Sequence, residues 1–91
     1  MKNKVLLNVV LPATQQSYEF RMPLDLRVEE GARLASRILA SREPVRYAAS
    51  DEADLMALEG DGAGDILSPS EAFRCYVSAG RLVDGSLVAL V

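Results

Sequence analysis

The stretch from Tyr18 to Ser41 constrains the fold most, because its hydrophobic period changes partway along. In the first part, apolar Tyr18, Phe20 and Met22 alternate with charged Glu19 and Arg21. Alternation that leaves one apolar side predicts a half-buried strand. Proline has no N–H for a ladder, so Pro23 is expected to end this strand or to confine it to a sheet edge.

From Val28 onward the period becomes that of a helix. The apolar residues on one stripe are Ala32, Leu34, Ala35, Ile38 and Leu39. Acidic residues at 29–30 and Arg42 in the last turn suit the helix dipole, and Pro44 stops the helix just beyond. The pattern therefore predicts one amphipathic helix over about 28–42, which needs a sheet to cover its stripe.

The remaining segments are predicted to build that sheet. Strands are expected at about Lys4–Leu11, Asp54–Leu58, Ile66–Leu67 and Ser86–Val91. The motif Ser68-Pro69-Ser70-Glu71 has the form of a helix start, so a short helix is expected to carry Ala72 and Phe73. The predicted order is strand, strand, helix, strand, short strand, short helix, strand, in one domain over 1–91.

The predicted core is the helix stripe against the inward rows of the sheet. Asn8 would be costly to bury unpaired, so its row is expected to face outward and the odd row inward. The residues assigned to the core are Ala35, Ile38, Leu39, Val5, Leu7, Val9, Phe20, Leu87 and Ala89.

Composition argues against several functions. The chain is 49% hydrophobic and 25% charged with a net charge of −3, which is a globular profile and a poor one for binding nucleic acid. It has no histidine and one cysteine, Cys75, so no catalytic pair with histidine can form. We therefore expect no enzyme activity, no cofactor and no metal site. No apolar run approaches the about 20 residues of a membrane span, and a single cysteine suits the cytoplasm.

Three polar features leave alternatives open. The segment 61–65 faintly resembles a calcium loop but lacks its third acid and terminal glutamate, so a solvated turn is preferred. The acidic residues of 51–65 form either a solvated edge or an acidic docking patch. Arg33 and Arg37, one helical turn apart, either lie on a solvated helix face or bind an anion.

The predicted element order is that of the ubiquitin-like β-grasp fold. The closing run DGSLVALV at 84–91 resembles the last strand of ubiquitin-like domains. The run YEFRMPLDLRVEE at 18–30, followed by Arg33 and Leu34, resembles the small bacterial YukD-like proteins, which are associated with type VII (ESX-type) secretion. Arg27 departs from that pattern, since threonine or serine is usual there. The resemblance covers nearly the whole chain and implies an α+β, ubiquitin-like β-grasp fold.

The resemblance also implies a function through protein partners. Conjugated modifiers and sulfur carriers need a flexible tail that ends in glycines, and no such tail follows Val91, so we expect no conjugation. The leading hypothesis is a non-conjugated adaptor or accessory protein of a type VII secretion system, with secretion-machinery components as partners. The alternatives are a β-grasp interaction module unrelated to secretion and, with a longer C-terminus, a tail-activated modifier or sulfur carrier.

The resemblance finally suggests where a partner binds. In β-grasp domains the first and last strands lie side by side at the centre of the sheet. If Leu87, Ala89 and Val91 face the helix, alternation turns the residues between them toward solvent. Met56 corresponds by resemblance to an apolar position of the ubiquitin recognition patch. The predicted partner-binding face comprises Leu6, Val10, Met56, Val88 and Leu90, with a homodimer as a further expectation.

Overall fold

The computed structural model describes residues 3–45 and 47–91. Its strands are β1 (Lys4–Leu11), β2 (Gln16–Pro23), β3 (Leu55–Ala57) and β4 (Ser86–Leu90), and its helices are α1 (Val28–Arg42) and α2 (Phe73–Ser78). The strands form a four-stranded sheet in the order β2-β1-β4-β3. Strand β1 is antiparallel to β2 and parallel to β4, and β3 is antiparallel to β4. This is the predicted mixed sheet with one main helix across one face.

The hairpin of β1 and β2 has the predicted facing. Val5, Leu7, Val9 and Leu11 are buried, and their register partners Met22, Phe20 and Tyr18 lie on the same face of the sheet. Asn8 lies on the opposite face, where its side-chain amide donates a hydrogen bond to the carbonyl of Gly85 at 3.3 Å. The polar residue is therefore satisfied outside the core.

Helix α1 has the predicted bounds but is rotated relative to the predicted stripe. Its buried residues are Val28, Gly31, Ala32, Ala35, Ser36 and Leu39. Placing Leu34 and Ile38 on the buried stripe was wrong, because each is 47% exposed. The buried row is rich in small residues, which lets the helix backbone approach its neighbours closely. The two larger side chains lie at the flank.

Strand β4 is turned over relative to the prediction. Val88 and Leu90 are 0% and 3% exposed and belong to the core, so Leu87 and Ala89 face away from α1. Ala89 is buried as predicted, with 3% of its surface exposed, whereas Leu87 is partly exposed and its assignment to the core was wrong. Parallel pairing explains this facing, because Val9 lies beside Val88 and adjacent residues of paired strands share a face. Both rows of this strand are apolar, so alternation alone carries no information about which row is buried.

The segment before α2 has a different role from the one predicted. Helix α2 begins only at Phe73, with Ala72 at its N-cap. The preceding turn instead caps α1: the N–H groups of Val28 and Glu29 donate to the carbonyls of Glu71 (2.8 Å) and Pro69 (3.0 Å). These carbonyls replace the side-chain cap of α1, since the guanidinium at its N-cap residue, Arg27, cannot accept a hydrogen bond.

The predicted short strand at Ile66–Leu67 is reduced to one isolated bridge between Ile66 and Met56. In the described parts of the chain, neither helix is long and apolar enough to cross a membrane.

Candidate functional site

The face of the sheet that α1 leaves uncovered, called the open face below, carries a connected apolar surface. The register places Leu87 beside Asn8 and Ala89 beside Val10 across the central strands. On the other side of Ala89 lies Met56. The apolar residues on this side of the sheet are Leu6, Val10, Met56, Leu87 and Ala89, of which the first four are partly exposed and Ala89 is only 3% exposed.

Three of the five predicted face residues lie where they were expected. Leu6, Val10 and Met56 are partly exposed and point away from the core. Val88 and Leu90 were placed on this face wrongly, because they are buried under α1. Leu87 and Ala89 of β4 lie on this face instead of Val88 and Leu90. The face therefore involves the predicted strands, but with the other row of β4.

Sequence reasoning missed one further member of this surface. Ile66 is 49% exposed and pairs with Met56 on the outer side of β3. Periodicity could not have placed it, since the pairing involves a single bridge rather than a strand. Ile66 extends the apolar surface toward the sheet edge.

Polar groups border the open face on the side of β2. Glu19 lies beside Asn8 and Arg21 lies beside Leu6, and both charged residues are exposed. A shallow, solvent-open depression of about 370 Å³ surrounds Leu6 and is lined by Lys4, Arg21 and Asp84 among others. An apolar centre with a charged rim is the arrangement found at protein–protein contacts.

Hydrogen bonds from turns hold this face in place at the end where β4 begins. The N–H of Leu6 donates to Asp84 Oδ1 at 2.9 Å, and its carbonyl accepts from the N–H of Gly85 at 2.8 Å. Gly85 has φ +92°, which its lack of a side chain permits. At the other strand, Leu87 N–H donates to Glu59 Oε1 at 3.0 Å, so this carboxylate takes the place of a neighbouring strand's carbonyl. The face is therefore presented on a fixed backbone.

Some residues of the polar features with open alternatives lie in exposed ion pairs. Arg37 lies 3.9 Å from Asp51, and Asp65 lies 3.8 Å from Arg81. Residues 61–64 form a turn. Within the described ranges, no group of three or more His, Cys, Asp or Glu side chains is arranged to hold a metal ion.

Cys75 is exposed on α2, and its chemistry disfavours a nucleophile. A hydrogen bond with Glu71 raises the pKa of the thiol, and partial desolvation and the nearby negative charge act in the same direction. A raised pKa lowers the fraction of reactive thiolate.

Comparison with known proteins places this fold among ubiquitin-like domains. No protein-family model and no curated protein matches the chain. Among solved structures, the ubiquitin-like domain of the Mycobacterium tuberculosis type VII secretion system protein ECCD1 matches with a TM-score of 0.67 at 15% identity, over 100% of this chain and 99% of that one. The EccD5 ubiquitin-like domain from Mycobacterium xenopi gives a TM-score of 0.68 at 11% identity, over 99% of this chain and 94% of that one.

A chain of the MycP5-free ESX-5 inner membrane complex matches with a TM-score of 0.72 at 14% identity, over 99% of this chain but 21% of that chain. At such identities the likeness establishes the fold. The chain has the ubiquitin-like β-grasp fold, and its structural neighbours include domains of type VII secretion proteins.

Proposed function

We propose that this protein is a non-conjugated, cytoplasmic ubiquitin-like adaptor that binds protein components of a type VII secretion system through the open face. The observation that carries the proposal is the contiguous apolar surface on that face. Single exposed apolar residues are common on any protein and need no explanation. Here they adjoin across neighbouring strands, and adjoining exposed apolar residues of this kind support the proposal of an interaction site.

The secretion context is supported by the structural neighbours and by the resemblance of residues 18–30. The EccD domains and the ESX-5 complex belong to type VII secretion, and they share this fold at TM-scores of 0.67 to 0.72. The alternative function is a β-grasp interaction module that works outside secretion, through the same open face.

An adaptor role without enzyme activity or cofactor is supported by the residues available. The centre of the open face carries hydrocarbon and thioether side chains and Asn8, and none of these is a general acid or base. Conjugation through the C-terminus would need residues after Val91, because the backbone of Val91 is itself held by hydrogen bonds to Asp54. Its N–H and C=O form reciprocal hydrogen bonds with Asp54, both of 2.9 Å.

The test introduces charge on the open face. The tagged chain with Leu6→Glu and Leu87→Glu is expressed in the organism that encodes it, and captured proteins are identified by mass spectrometry. We expect the native chain to capture secretion-machinery proteins and the double variant to lose most of that capture, since each buried carboxylate would be desolvated without a partner.

The matched control is Val45→Glu with Ala48→Glu, which introduces the same two carboxylates at exposed residues of the connection between α1 and β3, away from the open face. This control should capture normally. Undiminished capture by a folded Leu6/Leu87 variant would refute the open face as the site. Face-dependent capture of proteins unrelated to secretion would favour the alternative module. Immunoblots of the same lysates should show a single band near the monomer mass, and a ladder of heavier bands would contradict non-conjugation.

A further inference from the structure

The outer edge of β2 is a second surface with a specific pattern. Strand β2 ends the sheet, and no other strand in the described residues pairs with its outer side. We propose that two copies of this chain associate through this edge, with their β2 strands antiparallel about a two-fold axis at Phe20. The association would join the two sheets into one.

The backbone groups available on this edge follow from the hydrogen bonds of β1. The backbone of Leu6 bonds toward the β4 side, to Asp84 and Gly85, while Leu24 N–H donates to Asn3 C=O at 2.9 Å on the β2 side. The N–H and C=O groups of successive residues point to opposite sides of a strand. The odd-numbered residues of β1 therefore bond to β2, where their partners are the even-numbered residues. The N–H and C=O groups of Ser17, Glu19 and Arg21 therefore point outward, away from the sheet.

The charges on the edge select one register. Outward-pointing residues of one copy must pair with outward-pointing residues of the other, so the axis passes through a residue of β2. An axis at Glu19 would set two glutamates opposite each other, and an axis at Arg21 would set two arginines opposite each other. An axis at Phe20 places Glu19 of each copy opposite Arg21 of the second copy, so two opposite-charge pairs form.

The ends of the pairing are compatible with this register. Pro23 lies opposite Ser17 of the second copy and accepts through its carbonyl, although it has no N–H to donate. Proline is tolerated on an edge strand for this reason, and here it limits the length of the pairing. Tyr18 is held beside this edge by its hydroxyl, which donates to Glu43 Oε2 at 2.9 Å.

The apolar residues on the α1 side of the edge would add hydrophobic contacts to the backbone pairing. A groove of about 350 Å³ between β2 and α1 is lined by Tyr18, Phe20, Ile38 and Leu39 with charged neighbours. Ile38 and, one turn earlier, Leu34 are each 47% exposed. In the Phe20 register, the Phe20 residues of the two copies lie beside each other, at the mouths of the two grooves. Dimerisation would cover apolar surface that the monomer leaves in water.

This interface shares only the charged border residues Glu19 and Arg21 with the partner site proposed above. It uses the outer backbone of β2 and the flank of α1, whereas the partner site uses the central strands of the open face. Sedimentation of the purified chain measures self-association without any partner, so failure in one assay leaves the other assay interpretable.

The test is a charge reversal with restoration. Sedimentation equilibrium of the full chain from about 10 μM to about 1 mM measures self-association. We expect Arg21→Glu alone and Glu19→Arg alone each to weaken it on the order of tenfold or more, because both attractive pairs become repulsive. The double variant should restore association, because the exchanged charges again face each other. Arg37→Glu, which makes the same change of net charge as Arg21→Glu on the solvated side of α1, should dimerise normally. Circular dichroism confirms that each variant folds.

Three results would overturn the proposal. The native chain could remain monomeric at about 1 mM. The single reversals could leave a dimer intact, which would place self-association on another surface. The single reversals could weaken association without restoration in the folded double variant, which would show that a copy in this register is not the occupant.

Discussion

At the scale of single residues, Gly31 allows the ring of Phe73 to lie directly against the backbone of α1. A Cβ atom at position 31 would lie 2.6 Å from Phe73 Cε2 and 2.7 Å from Cζ. Phe73 is completely buried, so its ring has little room to move away. This contact is the reason why a glycine is accommodated within a helix, where it normally costs about 1 kcal/mol relative to alanine.

We predict that Gly31→Ala destabilises the protein, although the same change at an open helix position stabilises it. Overpacking costs about 1–3 kcal/mol, which exceeds the gain in helix propensity of about 1 kcal/mol. Urea unfolding should show a lower midpoint for the variant. As a control, Gly31→Ala combined with Phe73→Leu should cost less than the sum of the single changes, because leucine lacks the two ring atoms that clash. A raised midpoint for Gly31→Ala would contradict the contact.

At the scale of elements, the rotation of α1 decides which of its large side chains stabilise the fold. Leu39 is fully buried between the helix and the sheet, whereas the preceding Ile38 is half-exposed. Ser36 is also fully buried, and it is satisfied by Tyr47 OH at 2.7 Å and by the N–H of Ser50 at 2.8 Å. Helix α1 thus packs against the core through Leu39 and forms hydrogen bonds to the connection before β3 through Ser36.

We predict that Leu39→Ala costs about 2–5 kcal/mol of unfolding free energy, as expected for a buried leucine. Ile38→Ala serves as the matched control. It removes a similar volume one residue away and should cost about 1 kcal/mol or less, because that side chain is already in contact with water. Chemical denaturation of the two variants provides the comparison. Equal losses at the two positions would mean that α1 is rotated differently.

At the scale of the whole molecule, hydrogen bonds between residues far apart in sequence link the connecting segments to one another. The turn between β2 and α1 meets α2 through two backbone bonds, from Phe73 N–H to Leu26 C=O and from Arg74 N–H to Leu24 C=O. Beside them, Arg74 Nε donates to Asp25 Oδ1 at 2.7 Å. The hydrogen bond and then the charge of this guanidinium hold the pKa of Asp25 below its usual value of 3.8.

We predict that this pair makes stability depend on pH only in the acid range. A carboxyl group with a depressed pKa in the folded state stabilises fully above its unfolded pKa, near 3.8. That contribution is lost as the pH falls through the lower, folded-state pKa. Urea midpoints for the native chain and for Arg74→Gln, measured from about pH 6 to about pH 2.5, should therefore differ most at the upper end and converge at the lower end. A constant difference across this range would contradict the assignment.

Much of the architecture was predictable because it depends on local patterns. The period of two in β1 and β2 and the period near 3.6 in α1 each arise within one element, so the hairpin, the helix bounds and the outward facing of Asn8 were confirmed. The resemblance of residues 18–30 and 84–91 added the order of the strands in the sheet. The same reasoning found the central strands of the open face and three of its members.

The remaining features depend on contacts between distant segments. The run 87–91 is apolar in both rows, so only the parallel pairing with β1 buries Val88 and Leu90 and leaves Leu87 and Ala89 on the open face. The broad apolar stripe of α1 permits several rotations, and packing of small residues against Phe73 and the sheet selects one that leaves Ile38 at the flank. The turn at 68–71 has the local chemistry of a helix cap. It caps α1 rather than α2 because tertiary packing brings its carbonyls to the exposed N–H groups of that helix.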